Sequence, residues 1–282
     1  KTMYPRNHAK LPAVLDAIES GVRRGVRIMA DRYPYIASST SLSVFFPRWS
    51  QEGSTADFLG RIRDHRYESR FLDHFAEIER KIVSWDTITI CSVRTAKNRQ
   101  LEGTTVFAAA KASGKSPFAF IRDLLLEEEN RVDIVNFAMN EDNLKKILAH
   151  PLTMIGSDGY AFAPYGKLGS GKPHPRSYGT FARVLGKYVR DEKVLDLSSA
   201  IRKMTSMSAG QFGLKKRGLL KEGYYADIAV FDPATIKDRA EWTNPHRYAD
   251  GISYVLVNGT TVIAHGKHTG ALPGRCLIHD KK

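Results

Sequence analysis

Two short segments hold the side chains best suited to chemistry. MIGSDG (154–159) ends an apolar run on an acid, and HPRSYG (174–179) gathers a histidine, an arginine and a tyrosine farther along. A carboxylate at a strand end, as Asp158 would be, can ligate a divalent cation or move a proton between an attacking water and a leaving group. The same SDG tripeptide also reads as a turn aspartate before Gly159. The planar guanidinium of Arg176 can hold a carboxylate through two parallel hydrogen bonds, or serve as a structural partner to a nearby acid. His174 fits either a loop-bonding role or a place in the site. In DRYPY (31–35), Tyr33 and Tyr35 flank Pro34. Tyr35 reads as packing, and Tyr33 stays open between packing and the substrate pocket.

Two motifs are set aside. GKLGSGKP (166–173) has phosphate-loop spacing, but Pro173 replaces the hydroxyl residue that would ligate Mg²⁺ and removes a backbone donor. His265 and His268 lie at a hairpin end and read as solvated surface residues.

These residues must be positioned by regular elements. Leu11, Val14, Leu15, Ile18 and Val22 recur at helical spacing over 10–24, ahead of a strand at 26–31. Residues 36–133 read as an excursion, with helical patterns at about 55–80 and 117–129 and a strand at 87–93. A strand at 132–139, a helix at 140–150 capped by Asn140 and a strand at 152–158 then predict a parallel pair with a crossover helix. Helices follow around 180–190 and over 197–212, the second ended by Gly213. From about 216 the pattern turns to strands, and Asn258-Gly259 predicts a type I′ hairpin. The expected division is 1–215, including the excursion at 36–133, and a β-rich unit over 216–282.

The composition suits a globular protein, and the order of its elements an α/β one: 42% of the 282 residues are hydrophobic, and no run of about 18 apolar residues suggests a membrane span. The net charge of +13 is spread among acids rather than clustered or interleaved with aromatics, so nucleic acid is not the expected partner. Only Cys91 and Cys276 are present, which suits a reducing compartment, with cytoplasm the expectation. The oligomeric state is not legible.

DRYPY (31–35), MIGSDG (154–159), HPRSYGTFARVLGKYVR (174–190), RGLLKEGYYADIAVFDP (217–233) and VLVNGTTVIAHGKHTGALPGR (255–275) together resemble the N-acyl-D-amino-acid deacylase (D-aminoacylase) family of metal-dependent amidohydrolases. The resemblance runs over essentially the whole chain. It implies the later strands of a (β/α)8 barrel with an insertion, plus a share of a small β-sandwich. It makes Asp158 the last-strand metal ligand and proton shuttle, Arg176 the grip on the substrate's carboxylate, and Tyr33, Asn136 and His174 neighbours of the substrate. Asn136 stands where some members carry a tyrosine. Zinc is the implied cofactor, as one or two ions, and a small N-acyl-D-amino acid the implied substrate.

The family's first-strand His-x-His pair would precede residue 1, and no histidine between His8 and His65 can supply the strand-6 ligand; Asp31 or Tyr33 stands there instead. The chain is therefore expected to lack several metal ligands. A hydantoinase-like cyclic-amide hydrolase and a non-catalytic scaffold are the alternatives. Residues 174–190 favour the deacylase over the first, and Asp158 with Arg176 together favour it over the second.

Overall fold

A computed structural model describes residues 2–81 and 84–278. A short helix α1 (Pro5–His8) precedes α2 (Leu11–Arg23), which Pro12 opens in its first turn and Gly25 ends in a left-handed conformation. The strand expected at 26–31 is shorter and later: β1 is Ala30–Arg32. Next come β2 (Ser38–Ser41), α3 (Thr55–Arg63), α4 (Glu68–Lys81), β3 (Ile88–Val93), α5 (Val106–Ala112), α6 (Pro117–Glu127), β4 (Val132–Asn136), α7 (Glu141–Ala149) and β5 (Thr153–Ile155). The Asn140 side chain accepts the Asn143 amide at 2.8 Å and caps α7 as expected.

The pairing departs from the expectation. β4 and β5 are not neighbours: β4 is the centre of an antiparallel sheet, β2-β4-β3, while β5 pairs parallel with β1, Asp31 opposite Met154. Both edges of β4 are occupied by strands from the 36–133 stretch, so none is left for β5. That stretch also contributes to the core. Its Phe46, Phe71, Phe75, Phe118 and Trp85 join Ile88, Ile90 and Ile134 in the largest buried cluster.

After β5, α8 (Arg176–Arg183) runs on into a π-helical stretch, Val184–Asp191. The single helix expected at 197–212 is two, α9 (Leu197–Met204) and α10 (Ser206–Gln211). They break at Thr205 (φ −126°, ψ −94°), whose hydroxyl donates to the Ile201 carbonyl. β6 (Ile228–Phe231), β7 (Ile252–Val257), β8 (Thr260–Ala264) and β9 (Lys267–His268) form an antiparallel sheet in sequence order. Asn258 (φ 50°) and Gly259 (φ 82°) make the β7–β8 turn, as a type I′ hairpin requires. No residue of these four strands is fully buried. Between β6 and β7 the chain returns to the body, where Ile236 packs with Val184 and Tyr188. No helix among the described residues is long and apolar enough to cross a membrane.

One buried acid ties β3 to α6. Glu128, fully buried just past α6, accepts the Arg94 amide at 2.6 Å, the Thr95 amide at 2.8 Å, the Asn98 side-chain amide at 2.6 Å and the Thr95 hydroxyl. Burial pushes its pKa up, but these donors outweigh it and hold it below its ordinary 4.5. Its stabilising contribution is therefore complete above that value and lost as pH falls through the depressed one. Glu128→Leu, which strands several donors, should cost about 3 kcal/mol in urea unfolding. Glu128→Gln should remove part of the loss of stability toward acid; an unchanged acid limb would show that this carboxylate does not drive it.

Candidate functional site

The chain leaves β5 through Gly156 and Ser157 and reaches Asp158 in the left-handed conformation (φ 48°). The next residue must be small: a Cβ on Gly159 would lie 2.9 Å from the Ser177 Cα, so this loop rests directly on the start of α8. The Ser177 hydroxyl also accepts the Tyr160 amide at 3.2 Å. This close approach puts Asp158 Oδ2 3.0 Å from Arg176 Nη2. Asp158 is thus a turn aspartate whose carboxylate faces a guanidinium.

Arg176, the first residue of α8, is 5% exposed, whereas the side chain of Asp158 is 58% exposed. The guanidinium lies over the Tyr33 ring, 4.8 Å from its centroid, and its Nη1 is buried without a hydrogen-bond partner. His174 sets the approach of this segment. Its Nε2–H donates to the Ala37 carbonyl at 3.0 Å, and Nδ1 accepts the Arg176 amide at 3.0 Å, which fixes the neutral tautomer. Tyr33, Tyr35 and Trp242 meet the imidazole edge-on, with centroids 5.7, 5.1 and 4.8 Å away. Tyr35 is thereby a packing residue, and Tyr33 a platform beneath Arg176.

Asn136 does not join this group. Its amide donates to the Tyr4 hydroxyl at 3.0 Å, and its Oδ1 is buried without a partner. Asp31 stands on β1 with its carboxylate against Gly156.

Arg176 and His174 line a cavity of about 160 Å³ together with Ser39, Cys91, Ser92 and Asp133. A larger groove of about 940 Å³ lies elsewhere, between α9 and β6, lined largely by apolar side chains such as Leu197, Ile201 and Phe231. Its size reflects exposed apolar surface rather than convergent polar groups, so the smaller cavity is the candidate site. The glycine-rich 166–173 segment is the wall of this cavity. The Lys172 amide donates to the Cys91 carbonyl at 2.6 Å, and a Cβ on Gly171 (φ 75°) would lie 3.0 Å from Ser92 Cβ.

The wall is pinned by His246, whose Nε2–H donates to the Gly171 carbonyl at 3.0 Å while Nδ1 accepts the Tyr178 hydroxyl at 2.9 Å. Burial, with Tyr248 and Tyr165 nearby, pushes the Tyr178 phenol up to about 12, so it remains a donor. Trp242, His246, Ser92 and Asp133 were not legible as site residues, because only long-range pairing brings them here. His265 and His268 are exposed in the C-terminal sheet, as expected. Among the described residues no three His, Cys, Asp or Glu come together as a metal shell.

The chain is similar to known proteins over most of its length. The model of the Amidohydrolase family matches residues 62–263. D-aminoacylase of Alcaligenes xylosoxydans xylosoxydans is 34% identical over 277 residues, 98% of this chain and 47% of that protein. N-acyl-D-aspartate deacylase of the same organism is 40% identical over 174 residues, 59% of this chain and 33% of that protein. N-acyl-D-glutamate deacylase of Bordetella bronchiseptica, solved with zinc and a phosphonate mimic of the tetrahedral intermediate, superposes with a TM-score of 0.70 at 32% identity, covering 92% of this chain and 44% of that one. The chain thus spans about half the length of these relatives, or less.

His174→Leu keeps the bulk and removes both hydrogen bonds, leaving the Ala37 carbonyl and the Arg176 amide unpaired. It should cost about 2 kcal/mol in urea unfolding. Unchanged stability would mean that these bonds do not hold the segment.

Proposed function

The chain belongs to the amidohydrolase family, and from that premise we propose that it serves the hydrolysis of the amide bond in N-acyl-D-amino acids, yielding a carboxylate and a free D-amino acid. The observation that carries this reading is Arg176: a guanidinium almost wholly out of water, one nitrogen on Asp158 and another with no partner, at the edge of a small cavity. An unpartnered buried donor of this charge calls for an anion, and the α-carboxylate of the substrate supplies one in the planar geometry a guanidinium fits.

In this reading Arg176 seats the carboxylate. The exposed Asp158 accepts a proton from the attacking water and delivers it to the departing amine nitrogen as the C–N bond breaks. Tyr33 holds the guanidinium face in place, and His174 orients the loop. Asn136, one element away, is a candidate for contact with the acyl end.

Zinc is the proposed cofactor, following the zinc complex of the Bordetella relative. The described residues do not make up its shell, since Asp158 is a single carboxylate where tetrahedral zinc takes three or four protein ligands. The finer architecture belongs to the same proposal: β1 and β5 as adjacent later strands of a (β/α)8 barrel with chemistry at their C-terminal ends, residues 1–215 as the barrel part, and 216–282 as a share of a β-sandwich. Cys91 and Cys276, both without a disulfide partner, support a reducing, cytoplasmic setting.

Arg176→Lys keeps the charge but loses the fork, so affinity for the substrate should fall by about 1.5 to 3 kcal/mol. An acyl amide lacking the carboxylate should be much less affected, and equal losses for both would remove Arg176 from recognition. Asp158→Asn keeps the size but not the base, so turnover should fall at least about a hundredfold. Near-normal turnover with an unchanged acidic limb would end the Asp158 assignment.

A further inference from the structure

The cavity beside Arg176 has a second charged wall. Asp133 lies on β4 in register with Ser92 of β3, and Ser92 Oγ donates to Asp133 Oδ2 at 3.1 Å. Residues directly opposite in an antiparallel pair project from the same face, and both of these line the cavity with Arg176. Asp133 has no ion-pair partner among the described residues, so its charge is not neutralised by a neighbouring lysine or arginine. Cys91 lies between the two walls. Burial pushes its thiol pKa up, the carboxylates of Asp133 and Glu102 push it further, and Arg176 acts the other way. The charged side chains that line the cavity are thus Asp133 and Arg176.

The shape is as restrictive as the charge. A volume of about 160 Å³ corresponds to roughly five waters, enough for a carboxylate and a short side chain. With the substrate's α-carboxylate on Arg176, the remaining charged group at the wall is Asp133, itself exposed to solvent, and a second carboxylate on the substrate would face it with no cation between them.

Resting on the deacylase reading, we propose that Asp133 determines side-chain specificity. The site takes N-acyl-D-amino acids whose short side chain ends in a neutral hydrogen-bond donor, a carboxamide above all, and turns away those with an acidic side chain. Carboxamide and carboxylate are nearly isosteric, so the choice between them is made by donor and charge rather than size. A site built around an acceptor discriminates against a ligand that offers it another acceptor.

The test compares N-acetyl-D-asparagine with N-acetyl-D-aspartate, by equilibrium binding and by kcat/KM. The amide should be preferred by about tenfold or more in both. Asp133→Asn should bring the ratio close to one, and Asp133→Ser, shorter and uncharged, is carried alongside and should do the same. Equal or better use of the aspartate substrate by the unmodified protein, or a ratio unmoved in both variants, would overturn the assignment while leaving the deacylase reading intact. Hydrolysis and binding of no N-acyl-D-amino acid at all, with N-acetyl-D-alanine included, would remove both together.

Discussion

The burial of the Arg176 guanidinium is the constraint around which this molecule is arranged. Taking such a group out of water costs several kcal/mol unless its charge and its donors are met. Here they are met in part: Asp158 stands at 3.0 Å, and the Tyr33 ring lies beneath at 4.8 Å. Each contact imposes a local geometry. Asp158 reaches the guanidinium because the chain turns left-handed after β5, and the turn can rest on α8 because Gly159 has no side chain. The remaining unpartnered nitrogen, Nη1, is buried, and Arg176 also lines the small cavity with His174, Ser39 and Asp133.

The same region carries a second buried guanidinium. Arg32 also stacks on Tyr33, at 4.4 Å, and donates to the Tyr35 carbonyl at 2.6 Å. Burial lowers its pKa, with Arg176 contributing in the same direction. Two cations on one phenol ring raise the local positive potential. Lys203 shows the contrasting, structural use of a buried cation. It donates to the Thr153 carbonyl at 2.8 Å and to the His150 carbonyl, joining α9 to β5, and burial pushes its pKa down to about 8.

Around these charges, two sheets divide the work. The β1–β5 pair delivers Asp31, Tyr33 and Asp158 from strand ends, while β2-β4-β3 supplies the floor on which Ser39, Cys91, Ser92 and Asp133 sit. The segment between β6 and β7 closes the arrangement, with Trp242 against His174 and His246 pinning the glycine-rich wall. Residues as far apart as Ser39 and Ser177 thereby share one cavity.

Much of this was written in local sequence. The spacing of Leu11, Val14, Leu15 and Ile18 marks α2, Asn140 marks the start of α7, and Asn258-Gly259 marks a turn that only residues tolerant of positive φ adopt readily. Each of these depends on a few neighbouring residues. Asp158 and Arg176 could likewise be singled out because their side-chain chemistry is legible without knowing their partners. Pairing was not: β4 looked ready for β5, yet its edges were taken by β2 and β3, since strand propensity says where a strand forms and not which strand it meets. The same holds for Asp133 and Ser92, which are 41 residues apart and become neighbours only through that sheet. Local sequence determined the elements and the reactive groups. Tertiary structure alone decided which of them face one another, because hydrogen-bond pairing and burial are satisfied across the whole chain at once.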